Sequence, residues 1–108
     1  MIVVTTESVA GYSTVQSLGQ AFGVVVRSRG IAGNIMASLR TIIGGEIKEY
    51  TEMLEDARRH ALDRMVQNAT LMGANAVLMM RFESSEIGQN MSEIVAYGTA
   101  AIIRPNQG

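Results

Sequence analysis

The residue best able to do chemistry in this 108-residue sequence is its single histidine, His60. Asp56, Asp63 and Arg64 lie beside it on the charged side of what reads as a long helix. An imidazole among carboxylates could contribute to a metal site. Transition metals prefer imidazole or thiolate ligands, and the chain has one histidine and no cysteine. A lone histidine on a charged helix face reads first as a surface residue. It becomes a ligand only if symmetry brings several copies together. The 8 methionines raise a second chemistry, soft thioether ligation of Cu(I). Met53, Met65 and Met72 fall on or beside the apolar stripe of the helix, and Met80 falls in the strand row facing it. Core filling accounts better for these four. Met79 and Met91 fall on the opposite strand face. Glu83 and Glu86 flank a loop and could form an acid–base pair with Arg81. Surface carboxylates at a hairpin end are the simpler reading.

Other chemistries are thinner still. Gly44-Gly45 precedes a helix and could present backbone amides to an anion. Glu46 and Glu49 follow it, and neither GxxxxGK[ST] nor GxGxxG occurs, so the pair reads as a corner between helices. There is no Ser-His-Asp arrangement, no G-x-S-x-G and no HExxH. The expectation is a protein that is not an enzyme, with no catalytic or cofactor-binding residue, no cofactor, and an unknown metal site if one exists. Nucleic-acid binding wants a basic patch with stacking aromatics. Arg27 and Arg29 flank one loop, Arg58 and Arg59 sit on an acid-rich helix, and the formal net charge is −1 with a pI near 5.8. No nucleic acid is expected as a partner. Without cysteine there is no disulfide, which suits the cytoplasm. Met1-Ile2-Val3-Val4 lacks the basic start and apolar length of a secretory leader. No apolar run approaches the ~20 residues of a membrane span.

One long element must position these groups. Ile47, Tyr50, Leu54, Ala57, Ala61, Met65, Ala69 and Met72 recur in steps of three or four, the helical period. The spacing predicts a helix over about Glu46 to Met72, stopped by a left-handed Gly73. Acids crowd its first half and Arg58, Arg59 and Arg64 its second, which suits the helix dipole. At ~1.5 Å per residue it would be roughly 40 Å long, more than the ~35 Å diameter of a compact domain of this size. Ile31, Ile35, Leu39, Ile42 and Ile43 predict a short helix over Ala32–Ile43. Strands are expected at Ile2–Thr6, over Tyr12–Arg27 with a bulge near Gly19 or Gly23, at Ala76–Phe82 and at Glu93–Arg104. Gly88-Gln89-Asn90 is a plausible three-residue turn, which would set Ile87 opposite Met91.

That pairing sorts the last hairpin into two faces. One carries Ala76, Leu78, Met80 and Phe82 with Ile94, Ala96, Gly98, Ala100 and Ile102. It is low and smooth along Ala96, Gly98 and Ala100, and the long helix is assigned to it. The other carries Val77, Met79, Arg81 and Glu83 with Val95, Tyr97, Thr99, Ala101 and Ile103. It is too apolar to face water, so the short helix or another subunit must cover it.

Several of these stretches resemble one family. They are Ser38-Leu39-Arg40-Thr41-Ile42-Ile43-Gly44-Gly45, Tyr50, Gly73-Ala74-Asn75-Ala76-Val77 and Gly98-Thr99-Ala100, with Thr5-Thr6 and Gly11-Tyr12 near the start. Together, over nearly the whole chain, they are similar to the YbjQ-like family, labelled heavy-metal-binding and of unassigned function. The resemblance implies a single domain over residues 1–108 of class α+β. It would be an antiparallel sheet against one long helix plus a short helix, in the dodecin-like arrangement, assembled as a homo-oligomeric ring of five. Family members carry acids in the strand after the Gly-Ala-Asn-Ala turn. Here Arg81 and Ser85 stand at two of those places and Glu83 alone stays acidic, which weakens any metal site built on them. The Gly30-Ile31-Ala32-Gly33-Asn34 stretch is altered too. The expectation is therefore an assembly protein whose partner is itself. Its alternative binds a metal ion or small ligand between subunits.

Overall fold

The computed structural model of the chain describes residues 1–28, 48–88 and 91–107. These form β1 (Ile2–Val3), β2 (Tyr12–Ser28), α1 (Lys48–Leu71), β3 (Ala76–Ile87) and β4 (Met91–Pro105). The fold is α+β, with one sheet in the order β1-β3-β4-β2 and one long helix on a single face. The expected short helix over Ala32–Ile43, the Gly44-Gly45 corner and Glu46-Ile47 lie outside the described residues. β2, β4 and β3 pair antiparallel, but β1 runs parallel to β3, so the sheet is mixed rather than antiparallel. β1 and β2 stand at opposite edges of the sheet, so no hairpin joins them and nothing imposes an antiparallel sense. The first strand narrows to two residues. Val4 and Thr6 still bond to the β3 backbone at Val77, Met79 and Met80.

α1 forms where the 3.6-residue period is clearest. Ala57, Ala61, Met65 and Ala69 stand four apart and are buried in one row. The helix ends in a Schellman cap. Gly73 takes a φ of +89°, its N–H bonds to the Thr70 carbonyl, and the Ala74 N–H bonds to that of Ala69. Asn75 then acts as a piece of strand. Its side-chain amide accepts from the Ile103 N–H at 2.8 Å and donates to the Ile103 carbonyl at 2.9 Å. These bonds are worth about 1 kcal/mol each and fix where β3 begins against β4.

The alanine row brings the helix unusually close to the sheet, and the contact falls on β2. A Cβ at Gly23 would lie 2.0 Å from the Ala61 carbonyl oxygen and 2.3 Å from the Met65 nitrogen. The expected approach at Gly98 is corrected. A Cβ there would meet Val77 Cγ1 at 2.5 Å and the Leu78 oxygen at 2.9 Å, so β3 and not the helix occupies that hollow. The cause is a bulge. The β3–β4 register holds from Ile87↔Met91 to Arg81↔Tyr97 and then slips to Leu78↔Thr99. Met79 takes up the extra residue with a left-handed φ of 55°.

A one-residue slip exchanges faces. Above the bulge the expected assignment holds. Met80, Phe82, Ile94, Ala96 and Ala100 pack with the helix, and Tyr97 sits across from Arg81 with Glu83 on the same outer face. Below it the expected faces of β3 are reversed, while those of Ala100, Ala101 and Ile103 on β4 hold. Val77 joins the helix-side core, while Ala76 and Leu78 join Ala101, Ile103, Ile2, Val4, Val9 and Tyr12 on the far side.

The result is thin and long, with Cα extents of 58 × 28 × 16 Å. Its radius of gyration is 17.5 Å, against ~13 Å for a compact chain of this length. A 24-residue helix reaches about 36 Å, while the 17 residues of β2 reach about 56 Å. The helix therefore covers only part of one face.

Gly23→Ala sets a methyl group against helix backbone, which cannot rotate away. It should cost about 3 kcal/mol or more, the upper end of overpacking. Gly73→Ala, which meets no atom within 4 Å but keeps a positive φ, should cost about 1 kcal/mol. Urea unfolding of both at equal concentration checks the order. A Gly23 variant no weaker than the Gly73 variant would contradict the close approach.

Candidate functional site

His60 does not stand alone. Its Nδ1 is 2.9 Å from Nη2 of Arg27, which also lies 3.4 Å from Asp56 Oδ2. A guanidinium only donates, so Nδ1 is the acceptor and the ring proton sits on Nε2. Nε2 is 3.8 Å from Asp56 Oδ1, beyond hydrogen-bond length. The lone pair a metal would need is thus already used. Among the described residues, no three His, Cys, Asp or Glu side chains converge on one point.

The methionines divide as expected only in part, for Met72 was expected to fill the core and is exposed, and Met53 is half-buried. Met65 and Met80 are buried in the helix–sheet core, while Met72, Met79 and Met91 are exposed at separate places. Glu83 and Glu86 are not brought together. They lie three residues apart on β3 and so point to opposite faces. Arg58 lies over the Phe82 ring at 5.4 Å, a cation–π contact. An open cavity of about 440 Å³ lies where Ile2, Tyr12 and Ile103 meet Thr70 and Asn75. Asn75 is spent on Ile103 and the Thr70 hydroxyl on the Val66 carbonyl, which leaves the cavity few polar groups for a ligand.

Side chains concentrate instead on the sheet face away from the helix. On β2, Phe22, Val24 and Val26 stand in one row and are 48%, 38% and 51% exposed. They pair with Tyr97, Val95 and Glu93 of β4. Glu83 and Arg81 of β3 continue the same rows. The Tyr97 hydroxyl donates to Glu83 Oε1 at 3.0 Å. That bond raises the phenol above its ordinary 10.0, helped by burial and the carboxylate charge and opposed by Arg81. Ser85 donates to Glu93 at 3.3 Å. Arg81 Nη1 donates to the carbonyls of Thr5 at 2.9 Å and Met80 at 2.8 Å, tying the loop after β1 to the bulge. The face is apolar along β2 and polar along β3.

Sequence reading located Val95, Tyr97, Arg81 and Glu83 on this face. It missed the contribution of β2, whose alternation of Phe22, Val24 and Val26 with Ala21, Gly23 and Val25 is hidden because both sets are apolar. Gly23 was the available signal, since only the helix-facing set needs a glycine.

Residues 1–104 match a family model named YbjQ and described as "putative heavy-metal-binding". The chain is 77% identical over 105 residues to a UPF0145 protein of Bradyrhizobium sp. (strain ORS 278), spanning 97% of this chain and 95% of that one. It is 58% identical over 105 residues to a UPF0145 protein of Methanocella arvoryzae, spanning 97% and 88%. Among solved structures, a protein of unknown function from Pediococcus pentosaceus, placed in the DUF74 family, superposes with a TM-score of 0.63. The identity is 14%, with 96% of this chain and 98% of that one covered, a likeness of fold alone.

The Tyr97–Glu83 bond has a pH signature. The folded value of the phenol lies above the unfolded one, so its contribution to stability is whole below the unfolded value. It is lost as pH rises through the raised folded value. In a background with Tyr12→Phe and Tyr50→Phe, ultraviolet titration should give a midpoint above 10.0. Glu83→Gln should move it down. Equal midpoints would show that the bond does not form in solution.

Proposed function

The chain belongs to the YbjQ family of UPF0145 proteins, and from that membership we propose that it is a non-enzymatic assembly protein. Its subunits form a homo-oligomeric ring, of five copies as the family resemblance implies. The observation that carries this reading is the row of exposed Phe22, Val24 and Val26 beside half-buried Val95 and Tyr97, without cover among the described residues, on a sheet whose other face holds the helix.

Area supports it. A folded monomer of 11.6 kDa is expected to expose about 5,800 Å². This chain exposes 7295 Å². The surplus of about 1,500 Å² is near what a subunit buries when it gives a standard face of about 800 Å² to each of two neighbours. A subunit with two neighbours is the repeating unit of a ring.

The second reading places a metal ion or small ligand between subunits. It is favoured by Glu83 and Glu93, which share the bare face and would be brought together with those of neighbours. Oxygen donors suit hard cations. The heavy-metal description fits the chain's own donors poorly. Cysteine is absent, the one imidazole gives its lone pair to Arg27, and two of the thioethers, Met65 and Met80, are buried in the core.

Native mass spectrometry of untagged protein tests both readings. A species near five times 11.6 kDa is expected, and a clean monomer would end the ring. Val95→Asp or Tyr97→Asp should give monomers or insoluble protein, because burying an unpaired charge costs several kcal/mol. A soluble full-size oligomer from either variant would move the interface elsewhere. Elemental analysis of the same sample should find less than about one metal per ring if the first reading holds.

A further inference from the structure

β2 is an edge strand among the described residues, 17 residues long, and its centre reads Phe22-Gly23-Val24-Val25-Val26. An uncharged β-branched edge without proline is a template for adding a strand from a second copy. In an antiparallel pair a residue's N–H and C=O point to the same side, alternating along the strand. The carbonyls of Phe22 and Val24 point away from β4, for both are taken by side chains of α1. Asn68 Nδ2 donates to the Phe22 oxygen at 2.6 Å, and Arg64 Nη1 donates to the Val24 oxygen at 2.6 Å.

These two residues belong to a longer row. Asp56, His60, Arg64 and Asn68 follow one another four apart on one flank of the helix, and Met72 lies four residues on, just past its end. Asp56 and His60 hold Arg27, Arg64 holds Val24, Asn68 holds Phe22, and Met72 ends near Gly19. The match is metric. Four helix residues advance about 6.0 Å and two strand residues about 6.7 Å. At Arg64 and Asn68 the antiparallel helix therefore meets two alternate strand residues, Val24 and Phe22, whose carbonyls point outward. Asp56, His60 and Met72 reach Arg27 and Gly19, which lie off that alternation.

We propose that this row is an edge guard. It closes the β2 edge to strand addition by a second copy of the chain, so that self-association is confined to the bare sheet face. The proposal rests on the oligomeric reading above only for where copies do dock. The closure of the edge stands on the Arg64 and Asn68 contacts. It also explains what His60 does. With Asp56, His60 orients Arg27 at the end of the guarded stretch, where a free guanidinium side chain would swing clear.

The test is the double variant Arg64→Ala/Asn68→Ala of the full chain. The expected result is a wild-type helix signal by circular dichroism and a shift from one discrete species to larger, polydisperse assemblies that bind thioflavin T. The same discrete mass as wild type, with no dye signal, would overturn the guard and leave the face reading intact. If the double variant does not fold, the single Asn68→Ala variant decides. A labelled peptide of the sequence of residues 20–28 should bind it and not the wild type. Equal binding to both, or to neither, would overturn the proposal. A monomeric wild type beside an aggregating double variant would uphold the guard and sink the ring.

Discussion

The structure depends on one contact, the helix backbone at Ala61–Met65 resting on the bare Cα of Gly23. Helices usually stand off a sheet by the thickness of two side-chain layers. Here the buried positions on the helix are alanine, alanine, methionine and alanine, and the strand opposite offers no Cβ at Gly23, between Ala21 and Val25. Apolar burial per residue is modest with such small side chains. Dispersion between closely packed backbones supplies part of the difference. Closeness also sets reach. From this height Arg64 and Asn68 extend over the strand edge, and Arg58 lies across the Phe82 ring on the opposite flank.

The same contact explains why the far face is bare. A single helix used at such short range cannot be shared between two faces. The small second cluster of Ala76, Leu78, Ala101 and Ile103 is covered from its own chain by β1, the loop after it and Tyr12. Phe22, Val24 and Val26 have no such cover among the described residues. Surface surplus and guarded edge then point the same way. Among the described residues the chain leaves one apolar stretch of sheet exposed and covers the carbonyls at the centre of the β2 edge.

Much of this was legible in the sequence, and the exceptions have physical causes. The helix was readable because the apolar period runs over six turns and ends at a glycine free to take a positive φ. The hairpin register was readable because Gly88 marks its turn and pairs Ile87 with Met91. The bulge was not readable, since methionine carries no preference for the left-handed region. The faces of Ala76, Val77 and Leu78, which precede it on β3, were therefore reversed. β1 was expected antiparallel because nothing in five residues encodes the sense of a strand. His60 looked like a solvent-facing residue or a candidate ligand. Its role depends on the register between a helix and a strand that the chain separates by more than thirty residues, which no local pattern reports.

The bulge at Met79 also acts as a vernier. A plain hairpin of alternating apolar residues can slide by two positions and keep every side chain on its original face. β3 cannot. Its extra residue needs a hollow opposite, and Gly98 is the position on β4 where that hollow exists. A slide of two would carry the bulge to Ala96 or Ala100, where a methyl group already fills the space. One left-handed methionine and one glycine thus leave the hairpin a single setting, although its neighbouring sequence is nearly featureless.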